Sequence, residues 1–249
     1  MVLAGNLNLP LLPTDQSNQR FTSYFLCGRY AIFGPIPRHR SDEQLAFSFL
    51  DRSVELSPHY NAAPTQYLPV YRIDPERGRE LVHLKWGLIP SWAKESSIGT
   101  KMINARSESV QEKPAYRNAF RLRRCLVPAN GFYEWQALPS GKQPHYFTVQ
   151  NVGVIAFAGL WERWTNKASG EVIDSFTIVT CEPNQIVRLR NDRVPVILKV
   201  VDYEAWLTGS PADAAELMNP FPSGEIKQTS LKSHRILRIP IADKGLCEF

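Results

Sequence analysis

Short apolar runs broken by Pro, Gly, Asn and Asp dominate the chain, and most are too short to be helices. Tyr24 to Ile32 predicts a strand. Tyr67 to Arg72 and Leu81 to Trp86 predict strands around a turn at Asp74 to Gly78. Cys125 to Val127, Phe132 to Trp135, Tyr146 to Val149, Val154 to Leu160 and Ser175 to Thr180 predict further strands. Helical spacing is rarer. Ser41 and Gln44 form a capping-box pattern ahead of Leu45, Ala46, Phe49 and Leu50. Ala115 to Leu122, Asn184 to Arg190 and Tyr203 to Leu207 predict short helices. Antiparallel strands with a few helices outside them make an α+β domain. No repeat or linker interrupts Tyr24 to Leu207, so one domain is expected. The pattern from Pro211 onward is less regular.

Composition supports that picture. Nineteen prolines and 11% aromatic residues suit strands joined by loops better than a helical bundle. Hydrophobic residues at 43% and charged residues at 21% describe a soluble globular protein. No apolar run approaches the roughly 20 residues that cross a bilayer, so no membrane partner is expected. A net charge of +5 admits an anionic partner. The cysteines at 27, 125, 181 and 247 share no CxxC spacing, and the five histidines are scattered. A disulfide framework, a zinc site and a cofactor are therefore not expected, and a reducing cytoplasm is. The N-terminal stretch lacks Lys and Arg before Arg20, and Asn6, Asn8, Pro10 and Pro13 interrupt it, unlike a signal peptide. Residues 1–26 are expected to be a disordered leader or untranslated in the cell, with the domain at 27–249.

Several polar residues lie inside apolar or aromatic strings. Glu134, within Gly131-Phe132-Tyr133-Glu134-Trp135, is either a partly buried acid suited to proton transfer or an exposed position on an alternating strand. Asn104-Ala105-Arg106-Ser107-Glu108 reads as a helix start, or as an amide for a sugar oxygen beside an arginine for phosphate. Trp86 and Trp92 bracket a proline loop. They are core anchors, or stacking platforms for unpaired bases with Arg29, Lys85, Lys94, Lys101 and Arg106 nearby. Arg121, Arg123 and Arg124 form a second basic cluster. Asn191-Asp192-Arg193-Val194-Pro195 reads as a turn into a strand. Cys125 and Cys181 read as small buried apolar residues, and Trp161 and Trp206 as core. Cys27 is the residue with distinctive chemistry. Behind a free amine it would be a 1,2-aminothiol able to close a five-membered ring on an aldehyde; within a chain it cannot.

Taken in order, Cys27-Gly28-Arg29-Tyr30, Tyr60-Asn61-Ala62-Ala63-Pro64-Thr65, Trp86 to Trp92, Ile103 to Glu108, Arg124 to Ala129, Gly131 to Trp135, Ala158 to Glu162 and Thr180 resemble the SRAP (SOS response-associated peptidase) family. Its members crosslink to abasic sites in single-stranded DNA. The resemblance covers roughly Cys27 to Leu207. It implies a mixed, mostly antiparallel β-structure wrapped into a barrel-like core, with helices outside and a basic groove. It carries the nucleophile onto Cys27, the sugar-contacting amide onto Asn104 and the acid/base carboxylate onto Glu134. It gives DNA-binding roles to Arg29, Trp86, Trp92, Arg106, Thr180 and Arg193. Abasic single-stranded DNA is the implied partner and a monomer the implied state.

Two departures stand out. Asn191 occupies the position where the family has a histidine that assists proton transfers, and Val194 replaces a methionine. His145 or His234 would have to substitute for that imidazole. The other departure is the leader, since Leu26 stands where the family has its initiator methionine. Initiation at Leu26 from a TTG or CTG codon, or autoproteolysis between Leu26 and Cys27, would free the amine. The freed amine would condense with the aldehyde, and the thiol would close a thiazolidine. β-Elimination from the Schiff base would give lyase activity. The competing expectations are a thiol hydrolase using Cys27 and a noncovalent single-strand binding module.

Overall fold

The computed structural model describes residues 27–33 and 58–231, and the leader, the Ser41 to Leu50 helix and His234 lie outside them. Two sheets carry the domain. Five antiparallel strands follow the order β13 (Ile226–Ser230), β8 (Gly141–Val149), β7 (Gly131–Leu138), β1 (Tyr30–Ile32) and β2 (His59–Ala62). In the other sheet, β10 (Val172–Cys181), β4 (Gly78–Trp86), β3 (Tyr67–Asp74), β6 (Arg124–Ala129) and β9 (Ile155–Thr165) pair in sequence. β9 then pairs back with β10, which closes a five-stranded barrel. Short strands β5 (Asn104–Arg106), β11 (Val194–Pro195) and β12 (Ile197–Leu198) extend it. The α+β expectation holds, with parallel pairs at β10–β4 and β10–β5 among antiparallel ones.

Period-two alternation turns aromatic residues of both sheets toward each other. Tyr30 lies 5.2 Å from Trp86 and 5.8 Å from Phe157, and Phe132 meets Phe157 at 6.2 Å. Each of these rings is fully buried, so they weld the sheets into one core. One end of the barrel is tied by charge. Arg72 pairs with Asp74, Glu80 and Asp174, Arg163 pairs with Asp74 and Asp174, and the Arg72 guanidinium sits 4.1 Å over the Trp161 ring.

Among the described residues the helices are short and peripheral: α1 (Arg117–Leu122), α2 (Tyr203–Thr208) and α3 (Pro211–Glu216). Three expectations change. Asn184 to Arg190 is not a helix; only Val187–Leu189 forms a 3-10 turn. The Asn184 side chain accepts from the amides of Ile186 and Val187 and donates to the Phe221 carbonyl, which fixes a tight turn instead. Asn104 to Arg106 is a strand and not a helix start, because the free edge of β10 takes it as a parallel partner. The tail is also more regular than expected. Ser210 and Asp213 form a capping box with Pro211 in the first turn of α3, and β13 completes the edge of the first sheet against β8. Among the described residues no helix is long and apolar enough to cross a membrane.

Candidate functional site

Cys27 precedes β1, and the Tyr133 amide donates to the Arg29 carbonyl at 3.0 Å, which holds Cys27 alongside β7. Phe132 on β7 faces the core, so Glu134, two residues on, faces the same way. Its carboxyl is 2% exposed and lies beside the Cys27 thiol, which is 1% exposed. β5 brings Asn104 to the same point, where its Nδ2 donates to the Cys27 carbonyl at 3.1 Å. The Asn104 backbone carbonyl is itself held by the Tyr116 hydroxyl at 3.1 Å. Asn191 completes the group by donating from Nδ2 to Glu134 Oε2 at 2.6 Å. Residues 27, 104 and 134 thus converge through one strand pairing in each sheet, and the segment ahead of β11 adds Asn191.

Burial governs the electrostatics. It pushes the Glu134 carboxyl up to about 8, with Asp192 adding to the rise while hydrogen bonds from Asn191 and Cys27 oppose it. Burial also raises the Cys27 thiol well above its ordinary value, and the Glu134 charge adds to that. Thiol and carboxyl are therefore both protonated at neutral pH, and the carboxyl can act as a proton donor. Glu134 Oε1 has no hydrogen-bond partner among the described residues. Asn104 Oδ1 is likewise buried without one. Open buried acceptors beside a thiol suit a site that a hydroxyl-bearing ligand completes.

The DNA-binding expectations divide by exposure. Arg106 is exposed at the end of β5, and Arg29 is half-buried with its guanidinium donating to Asn61 Oδ1 at 2.7 Å. Asn61 lies in a motif noted above, but no role was read for it. Trp92 is 58% exposed, with its indole nitrogen 3.4 Å from the Pro114 carbonyl. Gly87, at φ +127, turns the chain out of β4 into the Trp92 loop, and a Cβ there would sit 2.5 Å from the Gly99 carbonyl oxygen.

Trp86 is a correction. It is fully buried, stacks on Phe176, and donates to the Ile103 carbonyl at 2.9 Å, so it offers no face to a base. Its position on the inward face of β4, just before Gly87, is the reason. Thr180 and Arg193 are also buried. Arg193 grips Glu108 at 2.7 and 2.9 Å and the Thr180 carbonyl at 2.5 Å, so it braces β10 and is not free to meet a phosphate. The Arg121 to Arg124 cluster is mainly structural. Arg124 is buried against the carbonyls of Phe120, Trp206 and Gly209, and Arg123 pairs with Glu162. Cys125 and Cys181 are buried free thiols in the core.

Comparison with known proteins agrees with the fold. The profile of "SOS response associated peptidase (SRAP)" matches residues 26–236. Abasic site processing protein YoqW of Bacillus subtilis (strain 168) is 35% identical over 215 residues, spanning 84% of this chain and 93% of its own. Abasic site processing protein YoaM of the same organism is 36% identical over 212 residues, with 84% and 92% covered. Abasic site processing protein HMCES of Xenopus tropicalis is 32% identical over 200 residues, covering 68% of this chain and 60% of its own. A crystal structure of a Bacteroides thetaiotaomicron protein shares the fold at a TM-score of 0.71 and 24% identity, covering 85% of this chain and 95% of that one. The architecture and the family profile lead to one assignment: the chain belongs to the SRAP, or SOS response associated peptidase, family.

Proposed function

We propose that this protein processes abasic sites in single-stranded DNA by forming a covalent thiazolidine through Cys27. The observation that carries this reading is the convergence of the Cys27 thiol, the Glu134 carboxyl and the Asn104 amide at one buried point. The residues before Cys27 must first be removed, by initiation at Leu26 or by cleavage after it. The family match beginning at residue 26 supports this, as do the names of the bacterial relatives.

The freed amine adds to the sugar aldehyde, with Asn104 Oδ1 accepting from a sugar hydroxyl. Glu134, protonated at neutral pH, gives its proton to the departing hydroxyl, which leaves as water; the carbinolamine becomes an iminium and Glu134 a carboxylate. The thiol then attacks the iminium carbon, and its proton returns to Glu134. A raised thiol pKa suits this order, because the proton leaves only as the carbon–sulfur bond forms and no standing thiolate is needed. Ring closure is intramolecular, which removes most of the entropic barrier. Loss of the sugar C2′ proton from the iminium instead gives β-elimination and strand cleavage. Arg29 and Arg106 hold flanking phosphates, and Trp92 stacks on an unpaired base.

The test is a denaturing gel with an abasic oligonucleotide and protein of verified N-terminal mass. The wild-type chain with a free Cys27 amine gives a shifted band, and Cys27→Ser gives at most an imine that reverses unless reduced. Binding without a band from the wild type would leave a noncovalent DNA-binding module. A stable band from the serine variant would exclude the ring.

A further inference from the structure

The strand order β8–β7–β1–β2 sets Glu134 between two flanks. On one flank Arg29, just ahead of β1, is held by Asn61 of β2. On the other flank β8 carries His145 directly opposite Glu134. That imidazole is buried. Its Nδ1 lies 2.9 Å from Gln228 Nε2 and 3.2 Å from Ser230 Oγ, and its Nε2 lies 3.3 Å from Gln136 Oε1. An amide nitrogen only donates, so Nδ1 accepts from Gln228 and the ring proton sits on Nε2. The ring is thus a fixed, neutral post whose described hydrogen bonds all go to uncharged groups.

The cation on this flank is Arg190. It is half-buried and directly precedes Asn191, whose amide meets Glu134 at 2.6 Å. Burial first, and then the Arg190 charge, keep His145 below its usual pKa, which places the guanidinium beside β8. Among the described residues its Nη1 donates to the Leu189 carbonyl at 3.1 Å, and its Nε is buried with no acceptor. Nε and Nη2 share one edge of the planar group, and that edge can take an anion with two parallel hydrogen bonds. Leaving a charged donor buried without an acceptor is costly, more so than a neutral one. Arg123 and Arg193 also have an unpartnered Nε, but Glu162 and Glu108 neutralise their charge. No carboxylate among the described residues does so for Arg190. The acid nearest in sequence, Asp192, is exposed, and its charge acts on Glu134.

We propose that Arg190 is a phosphate-binding residue of this site, gripping a backbone phosphodiester of the DNA strand on the β8 side of the lesion, across from the phosphate held by Arg29. The proposal rests on the DNA-binding part of the function proposed above and not on its covalent step. The sequence gave Arg190 no role. The arginine it offered to DNA in this segment was Arg193, which Glu108 and the Thr180 carbonyl take up. Gln136, Gln228 and Ser230 around His145 carry no charge, so none of them repels a phosphate approaching Arg190. Phosphates gripped on both flanks hold the sugar between them over Cys27, which a clamp on one flank does not do.

The test is noncovalent binding, read by fluorescence anisotropy, of an oligonucleotide with a central tetrahydrofuran abasic analogue, which has no aldehyde to react. Each phosphate near the lesion is replaced in turn by an uncharged methylphosphonate, and the protein has a free Cys27 amine. One replacement that weakens wild-type binding about 10-fold should have no effect on Arg190→Ala. That position should lie across the lesion from the one to which Arg29→Ala becomes indifferent. Arg190→Ala should also bind the unmodified analogue about 10-fold more weakly. Arg77→Ala, the same loss of charge in the exposed turn between β3 and β4, should keep the wild-type profile. An Arg190→Ala profile that matches the wild type overturns the proposal. So does loss of the same position in Arg190→Ala and Arg29→Ala, or a wild type that does not bind the analogue. If Arg190→Ala does not fold, Arg190→Gln, which keeps the alkyl stem, is read in the same way. A wild type that binds the analogue but gives no covalent band with a natural abasic site removes the thiazolidine reading alone.

Discussion

The side-chain amide of Asn191 donates a 2.6 Å hydrogen bond to Oε2 of Glu134. Its orientation is fixed from the other side, where Oδ1 accepts from the Arg193 amide at 3.4 Å. The amide thus aims the carboxyl at Cys27 and favours its ionised form against the effect of burial. It does so without offering a proton.

Asn191→Leu should therefore raise the Glu134 pKa above about 8. A hydrogen bond to a charged group is worth about 1.5–3 kcal/mol, which corresponds to a rise of roughly one to two pH units. The pH–rate profile of adduct formation measures the shift. Asn191→His should act oppositely on rate, because an imidazole at 2.6 Å could both donate and accept. Faster formation and faster reversal of the adduct are expected, read by exchange onto a competing oligonucleotide.

Glu134→Gln separates catalysis from stability. Adduct formation should slow about 10²–10⁴-fold, the usual worth of a positioned acid/base, with DNA affinity unchanged. The folded carboxyl titrates near 8, against 4.5 for an ordinary glutamate. Below about 4.5 both folded and unfolded forms are protonated, and the contribution of this group to stability is fully present. As pH rises through about 8 the folded state must hold a buried anion, and that contribution is lost. The Tm of Glu134→Gln relative to wild type should therefore climb between pH 4.5 and 8. Other titrating groups cancel in the difference. A difference that stays flat across this window would mean the carboxyl is not held protonated.

The two tryptophans of the loop after β4 should respond in opposite assays. Trp92→Ala removes a half-exposed ring. It should weaken single-stranded DNA binding by about 1–3 kcal/mol and leave Tm unchanged. Trp86→Ala empties a fully buried site between Tyr30 and Phe176. It should cost about 3–5 kcal/mol of folding free energy, measured by denaturant titration.

That contrast marks what the sequence makes legible. Hydrophobic alternation shows that Trp86 and Trp92 flank a loop, but not which ring turns inward, because that depends on the positive φ at Gly87. Most long strands were readable because each buries a continuous face. β5 and β2 were not, since three and four residues carry too little pattern and are strands only because a neighbouring edge accepts them. The convergence of Cys27 with Glu134 and Asn104 was readable only through the family resemblance. The register that sets His145 opposite Glu134 is a property of the β7–β8 hairpin, and no local signal near either residue announces it.

The remaining prediction concerns charge. Arg106 is exposed at the end of β5, whereas Arg193, opposite the same stretch of β10, is buried on Glu108 and the Thr180 carbonyl. If Arg106 neutralises one phosphate, Arg106→Ala should flatten the slope of log affinity against log salt by about 0.7, the single-strand value per contact. Arg193→Ala should leave that slope alone. It should lower stability by about 1–3 kcal/mol, through the loss of hydrogen bonds to a carboxylate and a buried carbonyl. Fluorescence anisotropy across a salt series, with thermal melts of both variants, separates the two. Equal salt slopes for the wild type and Arg106→Ala would remove that arginine from the DNA path, and an altered slope for Arg193→Ala would mean that its ion pair opens when DNA binds.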